Sequence, residues 1–506
     1  MKVGVVGGGL AGLAAAIQLA GEGHQVSLFE KNSHLGGKMN VWQSEGFTFD
    51  MGPTIITMPA VLERLFQSVG RRLEDYLQLV SLDPQWRSFF SDGSRFDLYS
   101  SLEGMTAEIG RFAPKEMASY LQFLSYAHRM YDISDQWFFW KPWGSLNDVM
   151  RNNTLNAKSF HLATSIDPMT SMHSAIRKHF RDPRLAQLFE HFVQYVGSSP
   201  FIAPAILCLI PWVQLGQGCW YPMGGTGAIA RALARLCEEL GVEVHTNSAV
   251  ERIEIKETKV TGIVSNGTLY PQDIVIANSD IVRTLTDLLP KSEGEPYLRK
   301  NASRLEPACS GMVLYLGCKK TFPHMLHHDF LFSADSDEEF RDIYERKIPH
   351  KDPTIYIAIP SRTDTSVAPA GSEAIYALVH TPYISPEFDW ATGGEAYRDL
   401  IIDKMERNGM PGLRESIVTE RMITPLDLER LYWVNKGAIY GVVTKKGLTS
   451  AFKTGNRSHI SGLYFAGGSV NPGAGVPMVL MSGQIAAQCV LEDIQAGTRT
   501  LSKTGQ

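Results

Sequence analysis

Cysteine is scarce and unpatterned: six among 506 residues, Cys208, Cys219, Cys237, Cys309, Cys318 and Cys489, with no C-x-x-C pair. That spacing excludes a disulfide framework and predicts buried free thiols in a reducing compartment. Long apolar runs are missing as well. No stretch reaches about 18 apolar residues free of charge, so no transmembrane helix is expected. The apolar N-terminus carries only Lys2 ahead of its run and merges into a glycine turn, so it reads as a strand and not as a signal peptide. Basic clusters are absent, and the net charge is −5, which excludes a nucleic-acid footprint and leaves any membrane contact to apolar surface. Charged residues make up 20% and hydrophobic ones 44%, the composition of an ordered globular protein. No G-x-S-x-G elbow occurs, which excludes that form of serine nucleophile. His324, His327 and His328 cluster, but they lack a matched carboxylate and cysteine set, and neighbours on a strand cannot both face one ion, so no metal is expected. The length exceeds the roughly 250 to 300 residues at which one core stops growing, and two domains are expected.

What is present begins at the first residues. Lys2 to Val6 is a short β-branched run, Gly7-Gly8-Gly9-Leu10-Ala11-Gly12 a glycine turn, Leu13 to Ala20 an alanine-rich helical stretch, and Val26 to Glu30 a second strand. Within this βαβ unit Gly7, Gly9 and Gly12 fit G-x-G-x-x-G: a tight turn, backbone approach to a pyrophosphate, and close packing of helix on strand. The helix N-terminus then faces the phosphates. Glu30 ends the second strand, where a carboxylate accepts hydrogen bonds from a ribose 2′-OH and repels a 2′-phosphate, so NADP is disfavoured. A tight βα turn with nothing bound is the plainer alternative.

Two glycine turns follow, Leu35-Gly36-Gly37-Lys38-Met39 and Gly46 through Asp50-Met51-Gly52-Pro53-Thr54. Paired glycines let backbone approach a ligand, and Lys38 offers charge to a diphosphate. At these residues the chain resembles the flavoprotein superfamily of amine oxidases, phytoene desaturases and GDP-dissociation inhibitors, and Asp50-Met51-Gly52-Pro53-Thr54 is similar to its carotenoid-desaturase branch. The resemblance implies FAD as the dinucleotide, with contacts at Gly7, Gly8, Gly9, Leu10, Ala11, Gly12, Glu30, Lys31, Gly37, Lys38, Gly52, Pro53 and Thr54. It also implies an α/β fold: a Rossmann-like FAD-binding domain with a discontinuous α+β substrate domain.

From about Leu73 to Met223 glycine punctuation fades and aromatics increase, the mark of a second, partly helical domain. Trp137-Phe138-Phe139-Trp140-Lys141-Pro142-Trp143 has the composition of a membrane-interface anchor or of core packing around a proline. Phe201 to Val213 is apolar, broken by Pro204 and Pro211, and too short to span a bilayer; it suits a buried core segment or the lining of a lipid-like cavity. Gly224 to Gly227 leads into an amphipathic helix to Leu240, and short strands at 242–245, 249–255, 260–264 and 274–277 return to the nucleotide domain. Here the resemblance implies that Val250 touches the adenosine part of FAD. Residues 301 to 452 revisit the substrate side, with strands expected at 311–317, 354–359 and 374–380. The expected division is therefore 1–72, 224–300 and 453–506 for FAD, and 73–223 and 301–452 for the substrate and membrane side.

Near the C-terminus a strand at Gly462 to Phe465 runs through Gly467-Gly468-Ser469-Val470-Asn471-Pro472-Gly473-Ala474-Gly475-Val476-Pro477 into a helix expected at 478–493. Backbone N–H groups at such a helix start can meet flavin oxygens, which singles out Gly468, Ser469, Gly475 and Val476, with Pro477, which has no N–H, as a further expected contact. Desaturases of the family carry Thr-His-Pro-Gly where this chain has Val470-Asn471-Pro472-Gly473. The form seen here is similar to the branch of diaponeurosporene and diapolycopene oxygenases, as are Trp86 to Phe90, Tyr195 to Ser199, Glu306 to Ala308 and Gly437 to Val443. The resemblance implies an FAD-dependent monooxygenase of carotenoid biosynthesis that converts a terminal methyl of a thirty-carbon carotenoid to an aldehyde, with molecular oxygen as co-substrate. With neither a signal peptide nor a transmembrane helix expected, the protein should be cytoplasmic, held peripherally at the inner face of the membrane. Asn471 is the candidate polar residue facing the flavin. A desaturase with the same fold and cofactor is the alternative, and a non-catalytic isoprenoid carrier a more distant one.

Overall fold

A computed structural model describes residues 1–144, 148, 169–445 and 454–504, with side chains to residue 497. Residues 446–453, where the expected 452/453 boundary falls, lie outside the described residues.

The β-branched runs make one parallel sheet. Its strands, in spatial order, are Leu463–Phe465, Ile274–Ala277, Lys2–Val6, Gln25–Phe29 and Glu243–His245. Parallel strands buried on both faces need continuous apolar sequence, and Val3, Val5, Leu28, Val275 and Ile276 supply it. The crossover from Lys2–Val6 to Gln25–Phe29 is the helix Leu10–Gly21, whose alanines allow close packing on the helices Gly227–Glu239 and Val476–Thr504. Gly483 shows how close: a Cβ there would lie 2.2 Å from the Ala11 carbonyl oxygen. An antiparallel meander, Val250–Lys256, Lys259–Ser265 and Thr268–Pro271, packs beside this sheet as its short strands predict.

A second, seven-stranded sheet runs Ile417–Ile423, Ser310–Cys318, Glu373–Thr381, Ile355–Ala358, His328–Leu331, Trp86–Phe89 and Arg95–Leu98. Its last two strands come from the 73–223 stretch, whose helices surround them; runs of four residues carry too little period-2 signal to stand out in sequence. Alternation divides the faces. Leu314, Leu316, Ile357, Ile375 and Ala377 pack under the helix Trp390–Arg407, while Val313, Tyr376, Leu378, Phe330 and Tyr356 face a large cavity. All six cysteines are free and buried, as expected.

Candidate active site

One cavity of about 510 Å³ extends from the glycine turn after Lys2–Val6 to the inner face of the seven-stranded sheet. At its first end the chain turns at Gly7, with φ of +94°, a conformation L side chains rarely adopt. The helix Leu10–Gly21 starts at Gly9 without a side-chain cap, and its first internal bond is Leu13 N–H to the Gly9 carbonyl at 2.9 Å. The N–H groups of Leu10, Ala11 and Gly12 therefore have no helical acceptor, and Leu10 and Ala11 line the cavity. Uncapped donors at a positive helix end, with no side chain on Gly9 to cover them, fit a diphosphate.

Glu30 is fixed here by two bonds. Its Oε2 accepts from Gly8 N–H at 2.8 Å and its Oε1 from Asn32 N–H at 2.9 Å, which aims the carboxylate along the cavity wall. Gly36 and Gly37 explain their doubling: Gly36 N–H donates to the Gly8 carbonyl at 2.8 Å, and a Cβ on Gly37 would lie 3.1 Å from Gly9 Cα. These glycines let one turn pack on the other. Gly52 does the same against Lys38, where a Cβ would fall 2.2 Å from the carbonyl oxygen. Asp50 of the same motif serves the helix Gly227–Glu239, accepting from Thr226 N–H at 2.7 Å and Gly227 N–H at 3.0 Å.

Lys31, Lys38, Pro53, Thr54 and Val250 all line the cavity, as do Gly468, Ser469, Gly475, Val476 and Pro477. Lys38 does not project freely: its ammonium donates to the Ile439 carbonyl at 2.6 Å. Burial pulls its pKa down to about 8, against the pull of Asp280. Ser469 accepts from Ile281 N–H at 2.9 Å and so helps to hold the turn that carries Asp280. The helix Val476–Thr504 begins two residues earlier than expected, which brings Val476 N–H into its first turn.

Asn471 departs from the expectation that it faces the flavin. It is absent from the cavity lining; its amide donates to the Lys141 carbonyl at 2.9 Å and lies 3.4 Å from Asn456 Oδ1. The backbone on either side explains this. Asn471 N–H is tied to the Thr454 carbonyl at 3.0 Å, and its own carbonyl accepts from Ser482 at 2.7 Å, so the residue is locked into the protein side of the turn. Pro472, Gly473 and Ala474 are the ones left facing the cavity.

The far end of the cavity is apolar and aromatic. Leu207, Leu209, Ile210 and Val213 line it, so the proline-broken stretch 201–213 forms its wall. Phe139 reaches it from the aromatic stretch 137–143; Trp143 is buried, while Trp137, Phe138 and Trp140 are half-buried. A few polar groups interrupt this surface. Thr54 Oγ1 and Tyr356 OH lie 2.6 Å apart, and Tyr356 OH lies 2.9 Å from His328 Nδ1. Tyr195 donates to Gln214, and His380 Nε2 lies 3.0 Å from Tyr440 OH. Burial holds the Tyr195, Tyr356 and Tyr440 hydroxyls well above their ordinary pKa. The histidines at 324, 327 and 328 turn to separate partners: the Gly409 carbonyl, Thr363 and Tyr356.

Several lining residues carry no motif. Asn278 follows the strand Ile274–Ala277 and donates to the Gly7 carbonyl at 3.1 Å; Asp280 lies two residues on. Their only sequence signal is position, at the end of an apolar strand of the nucleotide sheet, where α/β folds place ligands. His191 and His380 have none.

Residues 10–491 match the family model described as flavin containing amine oxidoreductase. The 4,4′-diapolycopene oxygenase of Methylomonas sp is 38% identical over 98% of this chain and 99% of its own length. The 4,4′-diaponeurosporene oxygenase of Staphylococcus aureus (strain bovine RF122 / ET3-1) is 38% identical over 96% of each chain. Among solved structures, an oxidoreductase from Methanosarcina mazei superposes with a TM-score of 0.65 at 18% identity, covering 97% of this chain and all 100% of that one. Wild-type putrescine oxidase bound to putrescine gives 0.64 at 14% identity, covering 97% and 99%. At such identities these two structures speak for the fold alone.

Proposed function

The chain belongs to the flavin-containing amine oxidoreductase family and is an FAD-dependent oxidoreductase, and from that premise we propose that it oxidises a terminal methyl of a thirty-carbon carotenoid to an aldehyde. The named activity of the full-length relatives points there. The observation that carries the reading to this chain is the cavity, which joins a diphosphate-type helix start to a wall of Leu, Ile, Val and Phe; among the described residues its charged lining groups, Glu30, Lys31, Lys38 and Asp280, belong to the nucleotide end. A polyene offers only C–H bonds and a conjugated chain, so an apolar channel is what recognises it.

FAD, when bound, supplies the redox capacity, with molecular oxygen as the oxygen source. In this reading the N–H groups at Leu10 and Ala11, which line the cavity, would hold the diphosphate, with Gly12 packed behind them on Gly7; Glu30 would hold the ribose of the adenosine, and Val250 its surroundings. Gly468, Ser469, Gly475, Val476 and Pro477 would border the flavin ring, and the helix start at Val476 would favour negative charge there. Lys31, Gly37, Lys38, Gly52, Pro53 and Thr54 complete the wall. The division into an FAD-binding unit and a substrate unit is supported by the presence of two separate sheets. The substrate enters from the inner face of a membrane, and the half-buried aromatics Trp137, Phe138 and Trp140 suit that contact; no helix among the described residues is long and apolar enough to cross a bilayer.

Coproduction with enzymes that make diaponeurosporene, followed by pigment mass spectrometry, tests the proposal. A product that gains one oxygen and loses two hydrogens at one end supports it, and one that only loses hydrogens identifies a desaturase instead.

A further inference from the structure

The cavity contains polar groups that an unoxidised hydrocarbon cannot use. His191 is only 7% exposed and lines the cavity, and neither ring nitrogen has a hydrogen-bond partner among the described residues. Phe330 and Phe332 stand edge-on to it, with ring centroids at 4.9 and 5.3 Å, and the His380 ring lies 6.4 Å away. His380 uses Nε2 toward Tyr440 OH at 3.0 Å and leaves Nδ1 without a partner among the described residues. Tyr440 is tied to the flavin-side turn through its neighbour: a Cβ on Gly441 would lie 2.8 Å from Ser469 Cα.

The His191 nitrogens open onto the cavity, so an apolar chain that fills the channel displaces the water they would pair with, at a cost in free energy unless the chain itself brings a partner. The methyl substrate cannot. The terminal alcohol that stands between methyl and aldehyde can, since it brings one donor and an acceptor, and a neutral imidazole brings the complement. Burial keeps both rings neutral, with pKa values lowered to about 3 for His191 and about 4 for His380.

We propose that His191 and the His380–Tyr440 pair bind the hydroxyl of the terminal alcohol and hold it in place for its second oxidation, in which the CH2OH end would give up two hydrogens, with two electrons, to bound FAD as oxidant and become CHO, so that aldehyde and not alcohol leaves. The inference rests on the proposed function and makes His191 a positioning residue.

Purified flavin-loaded enzyme titrated with a thirty-carbon terminal alcohol and with its parent hydrocarbon provides the test. Wild-type protein should prefer the alcohol by about tenfold, the scale of one or two hydrogen bonds. His191→Phe should lose most of that preference and shift the pigment made in cells from aldehyde to alcohol, whereas His191→Gln, which restores a donor and an acceptor, should keep both. If His191→Phe is recovered without flavin, the same titration on Tyr440→Phe and His380→Phe decides the matter. An unchanged preference and product ratio in the variants overturns the inference alone. Wild-type enzyme that forms neither alcohol nor aldehyde overturns the functional reading and the inference with it, and that outcome is read without any variant.

Discussion

Gly12 lies against Gly7 so closely that a Cβ on Gly12 would sit 2.1 Å from the Gly7 carbonyl oxygen. The contact fixes the distance between the first strand and the start of the first helix, and with it the position of the uncapped N–H groups. Gly12→Val should displace that helix start at a cost of about 1–3 kcal/mol or more. The purified variant should contain less than about a tenth of the wild-type flavin per chain, a factor that about 1.4 kcal/mol suffices to produce. Absorbance of the flavin against protein measures it.

Glu30 binds two backbone N–H groups of the turn, at 2.8 and 2.9 Å, as well as facing the cavity. Hydrogen bonds to a charged group are each worth about 1.5–3 kcal/mol, and Glu30→Ala removes both. Titration of flavin-free protein with FAD should show affinity reduced by at least about tenfold. Glu30→Gln keeps one acceptor and should fall between the two.

Lys38 gives the flavin-free protein a defined pH response. Burial lowers its pKa from 10.5 to about 8. Below about 8 both folded and unfolded chains hold the proton, and the folded state bears the cost of the buried charge. Between about 8 and 10.5 the unfolded chain binds more protons than the folded one, so stability rises with pH there. Thermal midpoints of wild type minus those of Lys38→Met should therefore increase from pH 8 to pH 10. A flat difference across this window contradicts the assignment.

Val213 lines the apolar end of the cavity, away from the turns that carry the glycine motifs. Val213→Trp should fill part of the channel. Flavin content is expected to stay near wild type, while carotenoid turnover falls by about tenfold or more, the usual result of overpacking by 1–3 kcal/mol. Pigment extracted from coproducing cells, normalised to bound flavin, reads this out.

Much of the nucleotide sheet was legible because its information is local. Lys2 to Glu30 carries strand period, glycine turn and acid within one short stretch; in the second sheet, Ser310–Cys318 and Glu373–Thr381, nine residues each, are long enough to show themselves, and the four-residue Ile355–Ala358 shows only through its unbroken apolar run. The strands at Trp86–Phe89 and Arg95–Leu98 are short and depend on a distant partner, His328–Leu331, for their pairing. Asn471 illustrates the limit within a motif. Sequence places it in the flavin-side turn, but the direction of its side chain is decided by Lys141, far along the chain, and by Asn456, on the preceding loop. His191, His380 and Tyr440 come from a helix, a strand and a loop, and only the tertiary fold brings them to one cavity.

In the proposed function this flavoprotein inserts oxygen at the end of a carotenoid. Purified flavin-loaded enzyme incubated with diaponeurosporene under isotopically labelled oxygen gas, with the terminal alcohol and aldehyde recovered for mass spectrometry, tests it most directly. Label should appear in the terminal oxygen of the alcohol. A product that has lost hydrogens and gained no oxygen would contradict it.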